Sequence, residues 1–123
     1  EAFFNAPYNY PHLTGIDAGR TYWVYSDQAE SFSVEGSVPS FAPASPVSLV
    51  QGWNFVGPTG LDTQSVTALY PGAEFVWGWD ELVQNWMLYS SDPNEAFFNA
   101  PYNYPHLTEV LPGHGYWVYM GTV

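Results

Sequence analysis

The chain has 123 residues, which is enough for one ordinary domain or for one small domain and part of a second. It contains 12 acidic residues and a single basic residue, Arg20, so its formal net charge is −11. This charge argues against nucleic acids and anionic membranes as partners, because proteins bind both through Lys and Arg. There is no cysteine for a disulfide or a thiolate ligand, and no apolar run approaches the roughly 20 residues that span a bilayer.

The first segment of the chain is repeated later in the sequence. Residues 1–14 recur letter for letter as residues 95–108, and residues 1–25 share 19 identities with residues 95–119. This indicates either a local duplication or a tandem array with a 94-residue period, and we favour the array. Residues 1–25 are then the C-terminal third of a module. Since the chain begins with Glu1, we expect a processed protein or an excerpt of a longer one.

The next segment, residues 26–46, is rich in Ser, Pro and Ala and is predicted to be a linker. Residues 31–35 alternate apolar and polar side chains, which indicates a short exposed strand within it.

Residues 47–123 are predicted to form one complete module. Its first element is a strand over residues 47–57, which bends or divides at Gln51 and Gly52. A short helix over residues 64–69 follows, with Asp62 or Thr63 as its cap.

The second half of the module favours β-structure. Residues 73–80 alternate, with Phe75, Trp77 and Trp79 on one face, and a hairpin leads to a strand over residues 84–90. After an ordered loop, a brief strand or turn is expected near residue 109, and a last strand at residues 116–120. The predicted fold is all-β: a small antiparallel barrel or compact sandwich of five or six strands with one short helix, plus the partial N-terminal repeat.

The module opens with GWNFVG at residues 52–57, continues with aromatic strands at 76–80 and 86–89, and closes with LPGHGYWV at 111–118. These motifs resemble a repeat module of secreted bacterial and archaeal surface proteins, with a GWN-apolar-apolar-G opening and a PGxGYWV closing. The resemblance implies an extracellular all-β module in tandem arrays, without a known catalytic role or a transferable binding site. In the first copy, residues 17–21 depart from the Pro-Gly-x-Gly turn, so the turn there can differ.

Aromatic residues are the most distinctive part of the composition, at 20% of the chain. They either fill a small core, form a protein interface or provide a stacking platform for sugars. Left alone, residues 1–25 would expose an apolar patch. This segment therefore folds back on its own module, ends a previous repeat, or completes a neighbouring subunit. The predicted contact residues between modules or subunits are Phe3, Phe4, Tyr8, Tyr10, Tyr22, Trp23, Tyr25, Phe97, Phe98, Tyr102 and Tyr104.

Exposed aromatic residues on the central hairpin suggest an alternative function. A surface glycan would stack on a platform of Trp77, Trp79, Trp86 and Tyr89.

No catalytic centre is expected. Asp80 and Glu81 are adjacent and would face opposite ways on a strand, whereas glycosidases need two carboxylates across a cleft. The histidines show no zinc-binding spacing, and a calcium site at Asp92, Asn94 and Glu95 is a minor alternative to solvated charge. We therefore predict no enzyme activity, no cofactor and no metal.

The composition, the repeat and the resemblance together favour a non-enzymatic structural protein on the cell surface or outside the cell. Its expected partner is itself, as the subunit of a filament, sheath or fibre joined head to tail by strand or segment complementation. The alternative is a carbohydrate-binding or adhesive module. No nucleic acid partner and no membrane insertion are expected.

Overall fold

The computed structural model describes residues 1–29, 31, 48–58 and 60–121. Residues 32–35 of the predicted strand and most of the predicted linker lie outside the described residues. The regular elements of the module are β1 (Gly52–Val56), β2 (Gln64–Ser65), α1 (Val66–Leu69), β3 (Phe75–Asp80), β4 (Asn85–Ser90), β5 (Glu109–Val110) and β6 (Tyr116–Met120).

These strands form two antiparallel sheets. The larger has four strands in the order β1-β6-β3-β4, and the smaller pairs β2 with β5. The predicted hairpin is confirmed, with Asp80 opposite Asn85 at its tip. The described strands do not close into a barrel, so the all-β prediction holds in the form of a compact sandwich with one short helix.

The core lies between the larger sheet and the layer formed by α1, β2 and β5. Val56, Val76 and Val118 face this layer from three neighbouring strands and are fully buried. Because side chains alternate along a strand, the aromatic residues between these valines point to the opposite face of the sheet.

The helix starts later than predicted. Residues 64 and 65 pair with β5 as a strand, and Ser65 is the N-cap, its Oγ accepting a hydrogen bond from the Ala68 amide at 3.2 Å. The predicted caps Asp62 and Thr63 lie outside the helix. Sequence alone favoured a longer helix because pairing with the distant β5 is a tertiary contact.

Asn54 is the one buried polar side chain found among the core residues that the structure describes, with an exposed fraction of 4%. Its Oδ1 accepts from the Val50 amide at 3.0 Å, and its Nδ2 donates to the carbonyls of Val50, Gly52 and Val118 at 2.9, 3.1 and 3.2 Å. One amide therefore ties the bend before β1 to β6.

Tyr70 follows α1 and has an exposed fraction of 1%. Its hydroxyl has no hydrogen-bond partner among the described residues. Burial, and secondarily the nearby Tyr116, raises the pKa of the Tyr70 phenol above its ordinary value.

We expect Tyr70→Phe to stabilise the fold by about 1 kcal/mol at pH 7, because it removes a buried polar atom without removing a bond. The native chain should lose stability as the pH rises above about 10, since the unfolded phenol ionises there while the folded one resists. The variant should lose less. Urea unfolding at pH 7 and at pH 10.5 tests both points, and a destabilised variant at pH 7 would contradict the first.

Both outer edges of the larger sheet carry additional chain. Along β4, the Leu88 amide donates to the Pro105 carbonyl at 2.9 Å and the Leu107 amide donates to the Leu88 carbonyl at 2.8 Å. This is a parallel bridge between Leu88 and His106. Along β1, the Gly57 amide donates to the Gly19 carbonyl at 3.1 Å and the Thr21 amide donates to the Phe55 carbonyl at 3.3 Å.

Candidate functional site

The face of the larger sheet that points away from the core is almost entirely aromatic. Cross-strand pairing aligns Phe55, Trp117 and Trp77 in one row. A second row aligns Trp53, Tyr119 and Phe75. We call this surface the aromatic face; its ring-bearing residues are Trp53, Phe55, Phe75, Trp77, Trp79, Trp86, Trp117 and Tyr119.

A cleft of about 440 Å³ opens on the aromatic face. The Trp77 ring meets the Trp86 ring at 87° and 6.3 Å, and the Tyr104 ring at 89° and 5.1 Å. These three rings form two corners, because both neighbours stand perpendicular to Trp77. We call this space the aromatic cleft; it is lined by Trp53, Trp77, Trp86, Tyr104 and Trp117.

The repeated motif supplies one wall of the cleft. In its second copy, residues 95–108, Phe97 lies edge-on to Trp77 at 5.7 Å, beside Tyr104. The loop holds its own shape through a stack of Phe98 on His106 at 3.8 Å and a bond from the Tyr104 amide to the Phe97 carbonyl. Packing on Trp77 therefore fixes a preformed loop.

The first copy of the motif, residues 1–14, has the same conformation. Phe4 stacks on His12 at 3.7 Å, and the Tyr10 amide donates to the Phe3 carbonyl at 2.9 Å. Asn9 and its counterpart Asn103 both have a φ of 51°, and both copies contain a cis Ala-Pro bond. The motif thus folds by its local sequence, with or without a sheet beneath it.

The two copies differ in what covers them. Phe3 and Tyr10 are 53% and 59% exposed, whereas their counterparts Phe97 and Tyr104 are half-buried. The first copy therefore presents to solvent the rings that the second copy packs on Trp77.

The closing turns of the two repeats are also alike, despite their different sequences. Gly19 and Gly113 have φ values of 80° and 79°. In the first copy the Asp17 amide donates to the Tyr22 hydroxyl at 3.0 Å, and in the second the Leu111 amide donates to the Tyr116 hydroxyl at 2.9 Å. The turn is kept because its left-handed glycine and its tyrosine are kept.

These two turns lie against each other. Thr21 packs into a space between Gly57 and Gly115, where a Cβ on Gly115 would collide with the Thr21 side chain. Trp23 stacks on Phe55 at 5.7 Å, and Phe55 stacks on Trp117 at 4.2 Å. Residues 21–25 form no strand; their backbone meets the sheet where the Thr21 amide donates to the Phe55 carbonyl, next to the bridge between Arg20 and Val56.

We expect Gly115→Ala to release the N-terminal segment from the module. Trypsin provides the assay, because Arg20 is the single Lys or Arg of the chain and its backbone pairs with Val56. Cleavage after Arg20 should become about tenfold faster, since proteases cut locally opened chain. Gly15→Ala is the matched control, because a Cβ there meets nothing within 4 Å. An unchanged cleavage rate in a folded Gly115→Ala chain would contradict the docking contact.

The predicted glycan platform is only partly brought together. Trp77, Trp79 and Trp86 share the aromatic face, with Trp79 edge-on to Trp86 at 5.2 Å. Tyr89 lies on the other face and packs against the core.

Of the predicted contact residues, Phe97 and Tyr104 meet Trp77, while Tyr102 packs on Phe97 within its own loop. In the first copy, Tyr8 packs on Phe3 in the same way. Tyr25 is 91% exposed.

Sequence reasoning did not assign Trp53 and Trp117 to a site. The available signal was that successive side chains of a strand point to opposite faces, which assigns Trp53 to one face of β1 and Trp117 to one face of β6. That signal gives the face of a strand but not which strands are neighbours, and the neighbours here are distant in sequence.

Comparison with protein-family models gives no match, and neither curated proteins nor solved structures show significant similarity to the chain. Within the described residues, no cluster of three or more His, Asp or Glu side chains is arranged to hold a metal ion. In that part of the chain, no helix combines the length and the apolar character that crossing a bilayer requires.

Proposed function

We propose that this chain is a non-enzymatic structural repeat protein of the cell surface or extracellular space, and that it assembles with itself into a filament, sheath or fibre. The observation that carries the proposal is the pair of motif copies with the same fold and different surroundings. Phe3 and Tyr10 are exposed, and in another copy of the module the place on Trp77 is filled by an identical motif for which residues 1–14 can exchange.

The contact between the closing turns supports the same proposal. It joins a segment of one repeat to the module of the next, through the edge of β1 and the glycines that receive Thr21. Such a contact between successive repeats is the unit from which solenoids and head-to-tail polymers are built.

Exchange of the motif between chains gives a physical route to assembly. Residues 1–14 and 95–108 are identical, so either can fill the place on Trp77 and the edge of β4 with the same contacts. Exchange of identical elements is a low-cost way to join protomers, and here each chain keeps one motif to offer to the next.

Light scattering over a wide concentration range and electron microscopy of the full chain test this proposal. We expect concentration-dependent association and fibrous particles with a regular axial repeat. The double variant Phe3→Ser with Tyr10→Ser should stay monomeric, because it removes the two rings that would dock.

Leu82→Ser is the matched control for that variant. Leu82 is an exposed apolar side chain in the turn between β3 and β4, and it lies outside both copies of the motif. It should assemble like the native chain. A native chain that remains monomeric at every concentration, with residues 1–25 mobile, would refute the proposal.

The carbohydrate-binding alternative rests on Trp77, Trp79 and Trp86, which do share the aromatic face. The lining of the aromatic cleft offers sugar hydroxyls only indole N–H groups and the Tyr104 phenol. Hydroxyl groups that lose water need more hydrogen-bond partners than this, so we place the structural function first.

A further inference from the structure

We propose that the aromatic cleft binds a quaternary ammonium group. Its lining residues are all tryptophan or tyrosine, and none is charged. This inference stands independently of self-assembly, because exchange of the motif would replace Tyr104 with the identical Tyr10 and leave the other four rings in place.

The arrangement of the rings is the first argument. Trp86 and Tyr104 both stand perpendicular to Trp77, so these three rings form two corners of a shallow, open cleft. A trimethylammonium group placed against such walls meets several π-systems at once. Tryptophan is the strongest partner in such cation–π contacts, and four of the five lining residues are tryptophan.

The charge of the chain is the second argument. The net charge is −11, and the single basic residue, Arg20, is not among the residues that line the aromatic cleft. Glu81 lines the adjoining cleft together with Trp86 and Trp117. A cation approaching the aromatic face is therefore attracted, and no Lys or Arg lines the cleft to oppose it.

The scarcity of hydrogen-bond acceptors in the cleft favours a cation without N–H donors. A primary ammonium has three N–H donors, and a sugar has several hydroxyls, all of which need acceptors after leaving water. The lining rings provide almost none. A quaternary ammonium has no donor to satisfy, and its methyl groups gain from burial against the rings.

Calorimetric titration of the full chain at constant ionic strength tests the proposal. The probes are tetramethylammonium and choline, with 3,3-dimethylbutan-1-ol as the neutral isostere of choline. We expect choline to bind about tenfold more tightly than the isostere, because the two share shape but differ in charge. A short Gly-Ser peptide with one trimethyl-lysine tells whether the group can come from a protein side chain instead of a small molecule.

Variants locate the binding. Trp53→Leu and Trp86→Leu should raise the Kd for choline about three- to tenfold, and raise that for the isostere by less, since the isostere loses apolar contact but no cation–π contact. Trp53 is 51% exposed, so its replacement is tolerated by the fold. Tyr25→Leu is the control, since it removes an exposed ring that lies outside the cleft.

Three results would overturn the proposal. The first is equal binding of choline and its neutral isostere, and the second is tighter binding of glucose or cellobiose than of choline. The third is no binding of tetramethylammonium or choline at 100 mM, since about 100 mM is the weakest Kd that we expect for such a site. Light scattering on the same samples reports self-assembly separately, so the failure of one proposal is distinguishable from the failure of the other.

Discussion

Asn54→Ala should lower the free energy of unfolding by about 3 kcal/mol and the melting temperature by about 10 °C. The buried side chain accepts a hydrogen bond from the Val50 amide, and the two hydrogens of its Nδ2 are shared among three carbonyls. Alanine would remove all of these bonds and would withdraw the Nδ2 donor from the Val118 carbonyl, which is buried, and loss of a partner at a buried group costs more than the bond itself contributes.

Urea unfolding followed by circular dichroism measures this loss. Asn54→Asp should be destabilising as well, because a carboxylate cannot donate to the carbonyls of Val50, Gly52 and Val118. Asn94→Ala is the matched control, since Asn94 is exposed. If Asn54→Ala unfolded at the same urea concentration as this control, the hydrogen-bond network would not be a stabilising feature.

Gly78→Ala should destabilise the module by about 2 kcal/mol. Gly78 is buried in the middle of β3, and an added Cβ would lie 2.8 Å from a carbon of the Tyr116 ring. That ring cannot move away cheaply, because its hydroxyl accepts the Leu111 amide in the closing turn. The glycine therefore makes room for a ring that joins the sheet to the turn.

The control for this substitution is Gly15→Ala, which adds the same methyl group where nothing lies within 4 Å. Thermal unfolding of both variants gives the comparison. A Gly78→Ala chain as stable as Gly15→Ala would mean that the Tyr116 ring can shift without loss, contrary to this account.

The sequence predicted those parts of the fold that depend on neighbouring residues. The hairpin of β3 and β4 follows from the alternation of Phe75, Trp77 and Trp79, and the structure pairs it as expected. The strand β6 was recognised from its run of β-formers and lies in the centre of the sheet.

The aromatic cleft could not be predicted from such local patterns. Trp53, Trp77 and Trp117 meet because β6 inserts between β1 and β3, an order that depends on long-range pairing. The loop that places Tyr104 over Trp77 is likewise a tertiary contact, although its internal shape is local. Local patterns fix the face of a strand, whereas the partners on that face come from topology.

The chain segments that pair with the outer strands lower the tendency of this protein to form amyloid. A chain so rich in aromatic strand segments would otherwise be prone to it. Residues 105–107 pair with the middle of β4 at Leu88, and residues 19–21 pair with the Val56 end of β1. Among the described residues, the outer side of β1 around Trp53 is left without such a cover. A gap this short is a poor template for cross-β stacking, so any ordered polymer of the native fold would grow through its ring surfaces and turns rather than by continuous sheet extension.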